Sequence, residues 1–423
     1  MKPSGIEWIG DIPDDWEVRR LKAISKLQTG NTPSTNNKNN YAETGFPWLK
    51  PDDLCGTIKE SQAKVFLSPA GKLETRILPA NSILLCCIGS IGKIGFVSTE
   101  CASNQQITAL IIKHGFWRYF LYVLRIAEEE LMSLSVGNVV FILNSERLGS
   151  LKIPFPPLKT QQKIADYLDE KCGEIDATIS KQKESIEKLK AYKQSLISET
   201  VTKGLDKSAP LKPSGIDYLG DIPSHWEIKK LKFVANFNQN TQPEDTDGQF
   251  ELKYIDIGNV SSVDGIKEIQ YFNFSNAPSR ARRIVKYGDI IVSTVRTYLR
   301  AITSIKEDYD NCICSTGFAV ITPKDNVQQD FVVYAIENES FIAQIIANSQ
   351  GISYPAINVS QLENLKLAFP SVKEQKEIVD FLKTKLLEID LTINKKQNII
   401  QKLDTYKKSL IFECVTGKCS ILG

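Results

Sequence analysis

Residues 155–202 read FPPLKTQQKIADYLDEKCGEIDATISKQKESIEKLKAYKQSLISETVT, and residues 369–416 read FPSVKEQKEIVDFLKTKLLEIDLTINKKQNIIQKLDTYKKSLIFECVT. From Thr160 to Thr200 the first stretch contains no proline and a single glycine, Gly173. Apolar residues recur at alternating intervals of three and four, which is the pattern of a helix in a coiled coil. About 40 helical residues, with a rise of roughly 1.5 Å each, would span about 60 Å. The sequence therefore predicts two long helices of the same design.

The two predicted helices have matching apolar seams, and this favours their packing on each other. The predicted seam residues are Leu168, Ile175, Ile179, Ile186, Leu189 and Leu196 in the first helix, and Leu382, Ile389, Ile393, Ile400, Leu403 and Leu410 in the second. Polar residues interrupt the seam at Gln182, Lys193, Lys396 and Lys407, and such residues cost stability but can fix the register. Antiparallel packing is expected because it lets each helix lead away from its own insert. The alternative is two surface helices on separate domains.

A second pair of segments shows that the chain is an internal duplication. Residues 2–22 read KPSGIEWIGDIPDDWEVRRLK and residues 212–232 read KPSGIDYLGDIPSHWEIKKLK, with 13 of 21 positions identical. The stretches between the repeats, roughly 23–154 and 233–368, share little beyond general pattern. A scaffold that is duplicated while its inserts diverge indicates the same task performed twice on two different targets.

The inserts are rich in apolar runs punctuated by turn residues, with short helices expected near 116–134 and 328–347. We therefore expect an α+β fold: two globular domains, an antiparallel coiled coil of two long helices, and an internal pseudo-two-fold duplication. The predicted divisions are 1–155 for the first globular domain with its repeat segment, 156–210 for the first long helix and linker, 211–370 for the second globular domain with its repeat segment, and 371–423 for the second long helix and C-terminal tail.

Composition excludes several classes of protein. The hydrophobic and charged fractions, 42% and 24%, are those of a globular protein, and the formal net charge is +2. No stretch approaches the ~20 apolar residues that span a bilayer, and the start lacks the apolar run of a signal peptide. A cytoplasmic location is expected. Nine cysteines without regular spacing indicate neither a disulfide framework nor a zinc site, and the thiols of Cys86-Cys87 and Cys312-x-Cys314, which lie in apolar strand-like runs, are expected to be buried.

The strongest electrostatic signal lies in the second insert. Six cations fall within 280–300 against a single acid, Asp289, namely Arg280, Arg282, Arg283, Lys286, Arg296 and Arg300. Arginine can fork onto guanine or onto phosphate, so this cluster predicts contact with DNA. Tyr298, Ser315 and Thr316 are nearby polar candidates for base edges or phosphates. Pairing of these arginines with acids elsewhere in the fold is the alternative.

The first insert offers a different set of candidates for DNA binding. Lys93 lies in a tight turn after Gly89 and Gly92, where it could reach a phosphate. The turn that contains Asn104 and Gln105 is rich in side-chain amides, which pair bidentately with adenine. Residues 29–40, TGNTPSTNNKNN, form a further polar loop. Solvated turns are the alternative explanation for both amide-rich segments.

The chain lacks the residues that catalysis would need. The turn from Gly89 to Lys93 is too short for a Walker A loop. The Phe-Pro pairs that precede the long helices lack the leading Asp or Asn of an adenine methyltransferase motif. Neither His114 nor His225 has a partner that indicates a catalytic pair. We therefore predict no catalytic residue and no metal site.

In its architecture and motifs the chain resembles the specificity subunits of type I restriction–modification systems. The resemblance covers essentially the whole chain. Its motifs are GDIPxxW at 10–16 and 220–226, Q-x-x-I-x-x-x-L at 161–168 and 375–382, TGNTP at 29–33, the glycine-punctuated turn at 89–95, STVR at 293–296 and STGF at 315–318. Each motif is weak alone, but they occur together, in order and partly in duplicate.

The resemblance implies that each insert is a target-recognition domain that reads one half of a bipartite DNA site. It implies that the helices set the spacer between the half-sites and dock methyltransferase subunits, two of them, with restriction subunits joining the complex. The chemistry would then belong to partners that use S-adenosylmethionine, ATP and Mg²⁺, with no cofactor bound by this chain. Such a protein is not itself an enzyme.

Three other functions remain open from the sequence. In the first, the chain is the specificity subunit of another phage-defence assembly. A second is a coiled-coil tether for proteins, which leaves the arginine cluster and the divergent inserts unexplained. A third is a free-standing endonuclease or methyltransferase, which requires a catalytic motif that the sequence does not show. The DNA sequence recognised and the spacer length do not follow from the chain alone.

Overall fold

The computed structural model describes residues 1–57, 59–261, 265–351 and 355–419, and these form two compact units. Unit 1 comprises Met1–Glu184 with Lys396–Gly423, and unit 2 comprises Ser185–Lys395. Each unit thus contains one globular region together with parts of both long helices. The end of the predicted C-terminal tail, 420–423, lies outside the described residues.

Unit 1 is built from short strands and helices around one long helix. Its strands are β1 (Lys2–Pro3), β2 (Asp11–Ile12), β3 (Glu17–Arg20), β4 (Ser25–Thr29), β5 (Tyr41–Ala42), β6 (Phe46–Leu49), β7 (Val65–Leu67), β8 (Ile83–Cys86), β9 (Ile94–Phe96), β10 (Ala102–Ser103), β11 (Ile107–Ile112) and β12 (Lys152–Phe155). Its helices are α1 (Leu21–Ile24), α2 (Pro69–Leu73), α3 (Trp117–Ile126), α4 (Glu128–Ser133), α5 (Ser145–Ser150) and α6 (Leu158–Lys203), the last of which continues into unit 2.

Two four-stranded sheets form the globular part of unit 1. The first has the order β4-β11-β8-β9 and is antiparallel throughout. The second has the order β10-β6-β7-β5, with β10 parallel to β6. Strand β12 pairs with β3, so the residues that lead into α6 are tied to the N-terminal repeat segment.

Unit 2 contains the remaining elements. Its strands are β13 (Leu211–Pro213), β14 (Asp221–Pro223), β15 (Glu227–Lys230), β16 (Ala235–Phe237), β17 (Glu251–Ile255), β18 (Val260–Ser261), β19 (Gly265–Ile266), β20 (Gln270–Asn273), β21 (Ala281–Ile284), β22 (Ile290–Ser293), β23 (Ile302–Ser304), β24 (Ile313–Ser315), β25 (Phe318–Pro323) and β26 (Lys366–Phe369). Its helices are α7 (Gln329–Glu337), α8 (Glu339–Ala347), α9 (Val359–Glu363) and α10 (Val372–Val415), and α10 continues into unit 1.

The first sheet of unit 2 repeats that of unit 1, and the second sheet repeats three of its four strands, although the inserts share little sequence. The order β16-β25-β22-β23 reproduces β4-β11-β8-β9, again antiparallel. In the other sheet, β20-β17-β24-β21, the parallel pair β17–β24 corresponds to β6–β10. Strand β15 pairs with β26 as β3 pairs with β12. The predicted α+β duplication is confirmed, and it extends to the topology of the inserts.

A buried helix packs on the first sheet in each unit. In α3 every side chain from Tyr119 to Leu124 is fully buried, because this helix lies within the main apolar cluster of the unit. Helix α7 holds the same place, with Phe331 and Ile336 buried. The helices expected near 116–134 and 328–347 are confirmed. Each is divided in two, at Ala127 and at Asn338, whose side chain caps α8.

The long helices run antiparallel within each unit. In unit 1, Asp176 bonds to Lys407 and Gln182 bonds to Lys396, so position rises in one helix as it falls in the other. Of the twelve predicted seam residues, eight are buried, and Leu189, Leu196, Ile400 and Leu403 are half-buried. Burial of these side chains is what the alternating spacing requires.

The polar interruptions of the seam are hydrogen-bonded rather than left unpaired. Lys193 Nζ lies 2.7 and 2.9 Å from the two carboxylate oxygens of Asp390. Lys407 Nζ lies 2.5 Å from Asp176 Oδ1. This is the equivalent ion pair in the other repeat, because Lys407 corresponds to Lys193 and Asp176 to Asp390 at the offset of 214. The Nζ of Lys396 donates to Gln182 Oε1 at 3.0 Å. These bonds favour one register, because a shifted helix would leave the lysines facing apolar seam positions.

The repeated motifs have structural roles. Trp16 and Trp226 of the GDIPxxW segments are 2% and 0% exposed. The side chain of Gln161 accepts a bond from Phe116 N at 2.7 Å and donates to Pro156 O at 2.7 Å. Gln375 makes the same two contacts in unit 2, with Gln328 N and Pro370 O, at 2.9 Å each. The glutamine thus ties the proline lead of each long helix to the start of α3 or α7.

The cysteines of the apolar strand-like runs lie where the sequence predicted, inside the fold. Cys86, Cys87, Cys312 and Cys314 are buried as expected, and burial raises the pKa of the Cys87 thiol to about 11. Across the described residues, no helix combines the length and apolar character needed to cross a membrane.

Candidate nucleic-acid interface

Two loops occupy equivalent places in the two units, and the predicted DNA-binding residues cluster around them. The hairpin loop joins the last two strands of the first sheet, at 87–93 between β8 and β9 and at 294–301 between β22 and β23. The crossover turn passes from one sheet to the other. It covers residues 103–106, from the last residue of β10 to the start of β11, and residues 315–317, from the last residue of β24 to the start of β25.

Backbone hydrogen bonds hold the hairpin loop and the crossover turn together in both units. In unit 1, Cys87 N donates to Gln106 O at 2.7 Å. In unit 2, Thr294 N donates to Gly317 O at 2.8 Å. These two bonds join corresponding positions of the same strands. The structure therefore brings Lys93 into the same loop pair as Asn104 and Gln105, and Arg296 into the same loop pair as Thr316.

The hairpin loop of unit 2 presents a cation and an aromatic ring at the surface. Arg296 and Tyr298 are exposed. Arg296 and Arg300 both have positive φ, 49° and 52°, and they bracket the turn at Thr297–Leu299. This backbone conformation is uncommon for residues other than glycine and concentrates at functional sites. Arg300 is half-buried and forms an ion pair with Glu339, which neutralises part of its charge.

Arg280 joins the crossover turn of unit 2. Its carbonyl accepts a hydrogen bond from Thr316 N at 2.8 Å, and both residues are exposed. Ser315 is different, because it is 1% exposed and its hydroxyl accepts a bond from Gly317 N. The Ser315 hydroxyl is therefore held inside the turn rather than presented at the surface.

The other cations of the cluster lie along β21 and just beyond it. Arg282 is half-buried, with its guanidinium 4.8 Å from the centre of the Phe274 ring and a bond to a backbone carbonyl. Arg283 is half-buried beside Cys314, and its Nε is a buried donor that has no hydrogen-bond partner among the described residues. Arg280 precedes β21, whereas Lys286 follows the other end of this strand. Lys286 is exposed and its side chain bonds to Asn311.

The single acid of the cluster does not neutralise these cations. Asp289 is 2% exposed and accepts bonds from Lys286 N at 2.7 Å and from the Thr322 hydroxyl at 2.6 Å. Burial raises the pKa of this carboxyl, and the hydrogen bonds oppose the shift. Asp289 thus organises the turn before β22, whereas Arg280 and Arg296 are exposed.

Unit 1 has a weaker charge at its hairpin loop. Lys93 is half-buried and lies 3.8 Å from the carboxylate of Asp52. Asn104 is 7% exposed and its amide bonds to Gln106 within the turn, so its role is structural in this conformation. Gln105 is exposed, and its Oε1 accepts a bond from the Thr32 hydroxyl at 2.6 Å. The polar loop 29–40 therefore contacts the crossover turn.

Several amides of the polar loop are used to hold its own shape. Asn40 is fully buried and donates to Glu74 Oε2 at 2.8 Å. Asn31 bonds to Glu74 O and to Arg76 N, and its carbonyl accepts a bond from Trp48 Nε1. The loop is therefore a folded element that flanks the crossover turn rather than a solvated tether.

A third loop borders the same place and has no counterpart among the sequence predictions. Residues 136–142 read VGNVVFI, and reciprocal backbone bonds of 3.0 and 2.9 Å between Val136 and Ile142 close the loop. Its backbone also bonds to the hairpin loop, since Gly89 N donates to Phe141 O at 3.0 Å. In unit 2 the corresponding bridges join Gln350 to Ala356 and Ala356 to Val295. We call 136–142 the apolar loop.

The composition of the apolar loop explains why sequence reasoning overlooked it. Val139 is 93% exposed, and its four apolar neighbours Val136, Val140, Phe141 and Ile142 are 40–53% exposed. A run of β-branched and aromatic residues normally indicates a strand that faces the core. The signal that could have identified it is the Gly137-Asn138 pair, which marks a turn and places the following residues at a tip.

The interface residues thus fall into two groups. The structure brings the hairpin loop and the crossover turn together in each unit, with Lys93 and Gln105 in unit 1 and Arg280, Arg296, Tyr298 and Thr316 in unit 2, and it places the apolar loop beside them in unit 1. It places Arg282, Arg283 and Lys286 along a neighbouring strand. Among the described residues, no group of three or more His, Cys, Asp or Glu side chains is arranged to hold a metal ion.

Comparison with known proteins agrees with this duplicated architecture. The family described as Type I restriction modification DNA specificity domain matches residues 13–190 and again residues 223–402. The MjaVIII specificity subunit of a type I restriction enzyme from Methanocaldococcus jannaschii is 26% identical, over 97% of this chain and 94% of that protein. The EcoBI specificity subunit from Escherichia coli is 24% identical, over 98% of this chain and 88% of that protein.

Solved structures show the same fold. A chain from a type I R-M system superposes with a TM-score of 0.71 at 14% identity, over 97% of this chain and all of that one. The HsdS subunit from Thermoanaerobacter tengcongensis superposes with a TM-score of 0.53 at 14% identity, over 99% of this chain and all of that one. The chain has two α+β domains, each with clustered surface loops, together with two long paired helices. This duplicated architecture is that of a recognition protein. The chain belongs to the family of type I restriction modification DNA specificity domains.

Proposed function

We propose that this chain is the non-catalytic DNA-specificity subunit of a type I restriction–modification complex, in which each unit reads one half of a bipartite site. The observation that carries the proposal is the equivalence of the loops. Two inserts of different sequence place their hairpin loop and crossover turn at corresponding points of the same topology. Divergent loops on a common scaffold suit a protein that recognises two different half-sites in the same manner.

The charge of unit 2 supports contact with DNA at these loops. Arg280 and Arg296 are exposed next to the crossover turn and the hairpin loop. Arginine at such positions can bind phosphate or fork onto guanine in the major groove. Tyr298 and Thr316 would add polar contacts from the same two loops. In unit 1, Lys93 and Gln105 hold the corresponding places, with less charge.

The long helices would set the distance between half-sites and dock two methyltransferase subunits. Their register is fixed by polar pairs, of which Lys193 with Asp390 and Lys407 with Asp176 are repeat equivalents. A helix pair of defined register can act as a ruler, since two readers of one duplex must meet it in phase with the DNA helix. Restriction subunits would join the complex, and the protein would act in the cytoplasm, where its DNA target lies.

Catalysis would belong to the partners in this assembly. The methyltransferase subunits would use S-adenosylmethionine, and the restriction subunits would use ATP and Mg²⁺. This chain contributes binding and placement of the DNA. The support for this division of labour is the family to which the chain belongs, together with relatives that are specificity subunits.

The proposal is tested by co-expressing this chain with the methyltransferase encoded nearest to its gene and sequencing the host genome for methylated adenine. We expect methylation within a split motif that disappears when this chain is omitted. Methylation that persists without the chain would contradict the pairing and favour another defence assembly or a tether.

A second variant tests the division of the site between the units. Exchanging residues 233–368 for the corresponding insert of another family member should change one half of the methylated motif and leave the other half and the spacer intact. A change in both halves would contradict one reader per unit. The unexchanged chain, expressed at the same level, is the control.

A further inference from the structure

We propose that the apolar loop 136–142 of unit 1 is a DNA-contacting element whose tip, Val139 and Val140, enters the groove and packs against the bases of one half-site. This inference rests on the proposed function and adds a contact that the charged and amide residues do not supply. It identifies residues that contribute to affinity through apolar surface rather than through charge.

The apolar loop is shaped to hold its tip away from the core. Val136 and Ile142 close its base with two backbone hydrogen bonds. Gly137 has φ of +152°, and a Cβ at this position would lie 2.1 Å from Val140 O, so only glycine allows the chain to turn here. Val139 is left 93% exposed at the far end.

Exposed apolar side chains of this kind call for a physical explanation. Five apolar residues within the seven positions of the apolar loop are each at least 40% exposed. Single exposed apolar residues are ordinary, but contiguous patches mark binding surfaces. The closing bonds show that the loop is folded with these side chains outward, so the exposure belongs to its native structure.

The position of the apolar loop favours DNA as its partner. Gly89 N donates to Phe141 O, and Leu143 N donates to Cys87 O at 2.8 Å, so the C-terminal end of the apolar loop is tied to the first residues of the hairpin loop. The hairpin loop carries Lys93 and is itself bonded to the crossover turn that carries Gln105. A duplex seated on these two loops would lie against the apolar loop as well.

DNA offers apolar surface only where a side chain passes the phosphates. Phosphate and sugar present polar and charged atoms, whereas the thymine methyl group and the faces of unstacked bases are apolar. Valine side chains gain little at the charged phosphates, so we place their contact on the bases. A matched substitution can therefore separate this contact from the electrostatic contacts around it.

The test compares two double variants in the full complex of this chain with its methyltransferase partner. V139T/V140T keeps the β-branched shape and replaces two methyl groups with hydroxyls, and V139I/V140I keeps the apolar character. Binding to a duplex that carries the methylated motif is measured at several salt concentrations. We expect the threonine variant to bind about tenfold more weakly, because each buried methyl group is worth roughly threefold to fourfold. The isoleucine variant should stay within about twofold of the native chain.

The salt dependence and the subunit composition decide between explanations. The slope of log affinity against log salt reports phosphate contacts, so it should be unchanged in the threonine variant. Threonine variants that bind as the native chain does, or that lose slope, would overturn the inference. Loss of the methyltransferase subunit from the complex would also overturn it and assign the apolar loop to a protein interface. A native complex that binds no motif would instead refute the proposed function itself.

Discussion

Arg118 and Asp169 form an ion pair between α3 and α6, with Nε 2.6 Å from Oδ2, and their equivalents in unit 2 carry the same pair with the charges exchanged. Asp330 of α7 and Lys383 of α10 are also 2.6 Å apart. The equivalence follows from the 214-residue offset of the long helices and from the matched contacts of Gln161 and Gln375. Because the charges are exchanged, α3 matches α6 and α7 matches α10. Packing α3 on α10 would place Arg118 beside Lys383, and packing α7 on α6 would place Asp330 beside Asp169.

The inverted pair predicts a charge-dependent loss of stability. Asp169→Lys should lower the free energy of unfolding of unit 1 by about 2–4 kcal/mol, since Arg118 is largely buried and would lose its partner. The double variant R118D/D169K should recover part of this loss. Recovery would be incomplete, because Tyr122 also donates to Asp169 at 2.6 Å. Denaturant unfolding measures the effect.

The control for this prediction is the twin pair. Asp330 and Lys383 are 48% and 57% exposed, so Lys383→Asp should cost less than about 1 kcal/mol. Equal losses at the two sites would contradict burial as the reason for the difference.

The coiled-coil register predicts how spacer length depends on helix length. Deleting 177–183 and 391–397 together removes one heptad from each helix and leaves the flanking polar pairs able to form. On the proposed role of the helices, the loss of about 10 Å should shorten the accepted spacer by about 3 base pairs or abolish recognition. Methylome sequencing reads the spacer directly. The length-preserving variant Q182K/K396Q should keep it, and an unchanged spacer after the deletion would contradict a ruler.

The buried glutamines predict a specific cost for losing one side chain. Gln161→Leu leaves Phe116 N and Pro156 O without their partner inside the fold. Unit 1 should lose about 2–4 kcal/mol of stability, because each unsatisfied buried group costs about 1–3 kcal/mol. Gln162 is exposed, so Gln162→Leu should change stability little. Equal effects at the two positions would show that the bonds of Gln161 are not the cause.

A half-buried carboxyl makes the stability of unit 2 depend on pH. Burial raises the pKa of Glu337 from 4.5 to about 7, and the charge of Lys193 opposes this shift. Below about pH 4.5 the carboxyl is protonated in both the folded and the unfolded chain. Between that value and about 7 the unfolded chain ionises first, so stability falls as pH rises.

Glu337→Gln should remove this fall by keeping the side chain neutral. At about pH 8 the variant should be more stable than the native chain by on the order of 2 kcal/mol, since one unit of pKa corresponds to about 1.4 kcal/mol and the site is partly solvated. Unfolding curves recorded between about pH 4 and 8 measure the difference. Glu268 is exposed in the same unit, and Glu268→Gln should leave the profile unchanged. A profile that stays steep in the Glu337 variant would assign the dependence to another group.

The surface arginines predict a salt-dependent loss of DNA affinity. Arg280→Gln and Arg296→Gln should each weaken binding of the assembled complex by roughly threefold to thirtyfold. A phosphate contact would lower the salt slope by about one, whereas a base contact would relax specificity at one position. Lys306 follows the other end of β23 from the hairpin loop, so Lys306→Gln is the matched control. Unchanged affinity in both arginine variants would remove them from the interface.

The sequence predicted the two long helices and the repeat segments because each of these patterns occurs twice in the chain. Heptad spacing occurs twice at one offset, and every predicted seam residue of both helices is buried or half-buried. Strand-rich inserts, buried cysteines and the helices near 116–134 and 328–347 followed from local composition. These features depend on periodicity and apolar content, and both can be read from a short stretch of sequence.

The candidate interface depends on contacts between residues that lie far apart in the sequence, and no short stretch of sequence contains them. Ser315 and Asn104 are polar residues in turns, and only their packing shows that both are buried. The run from Val139 to Ile142 has the composition of a core strand, and only the closing bonds of the loop place it outside.

The sequence by itself determined the duplication, the long helices and the α+β character of the inserts. Tertiary structure decided that two inserts of unlike sequence share the order of their first sheet, and that loops distant in the chain meet at one place in each unit. The physical reason is that periodic burial is encoded locally, residue by residue. Which strands pair, and which loops they bring together, depends on the free energy of non-local contacts summed over the whole domain.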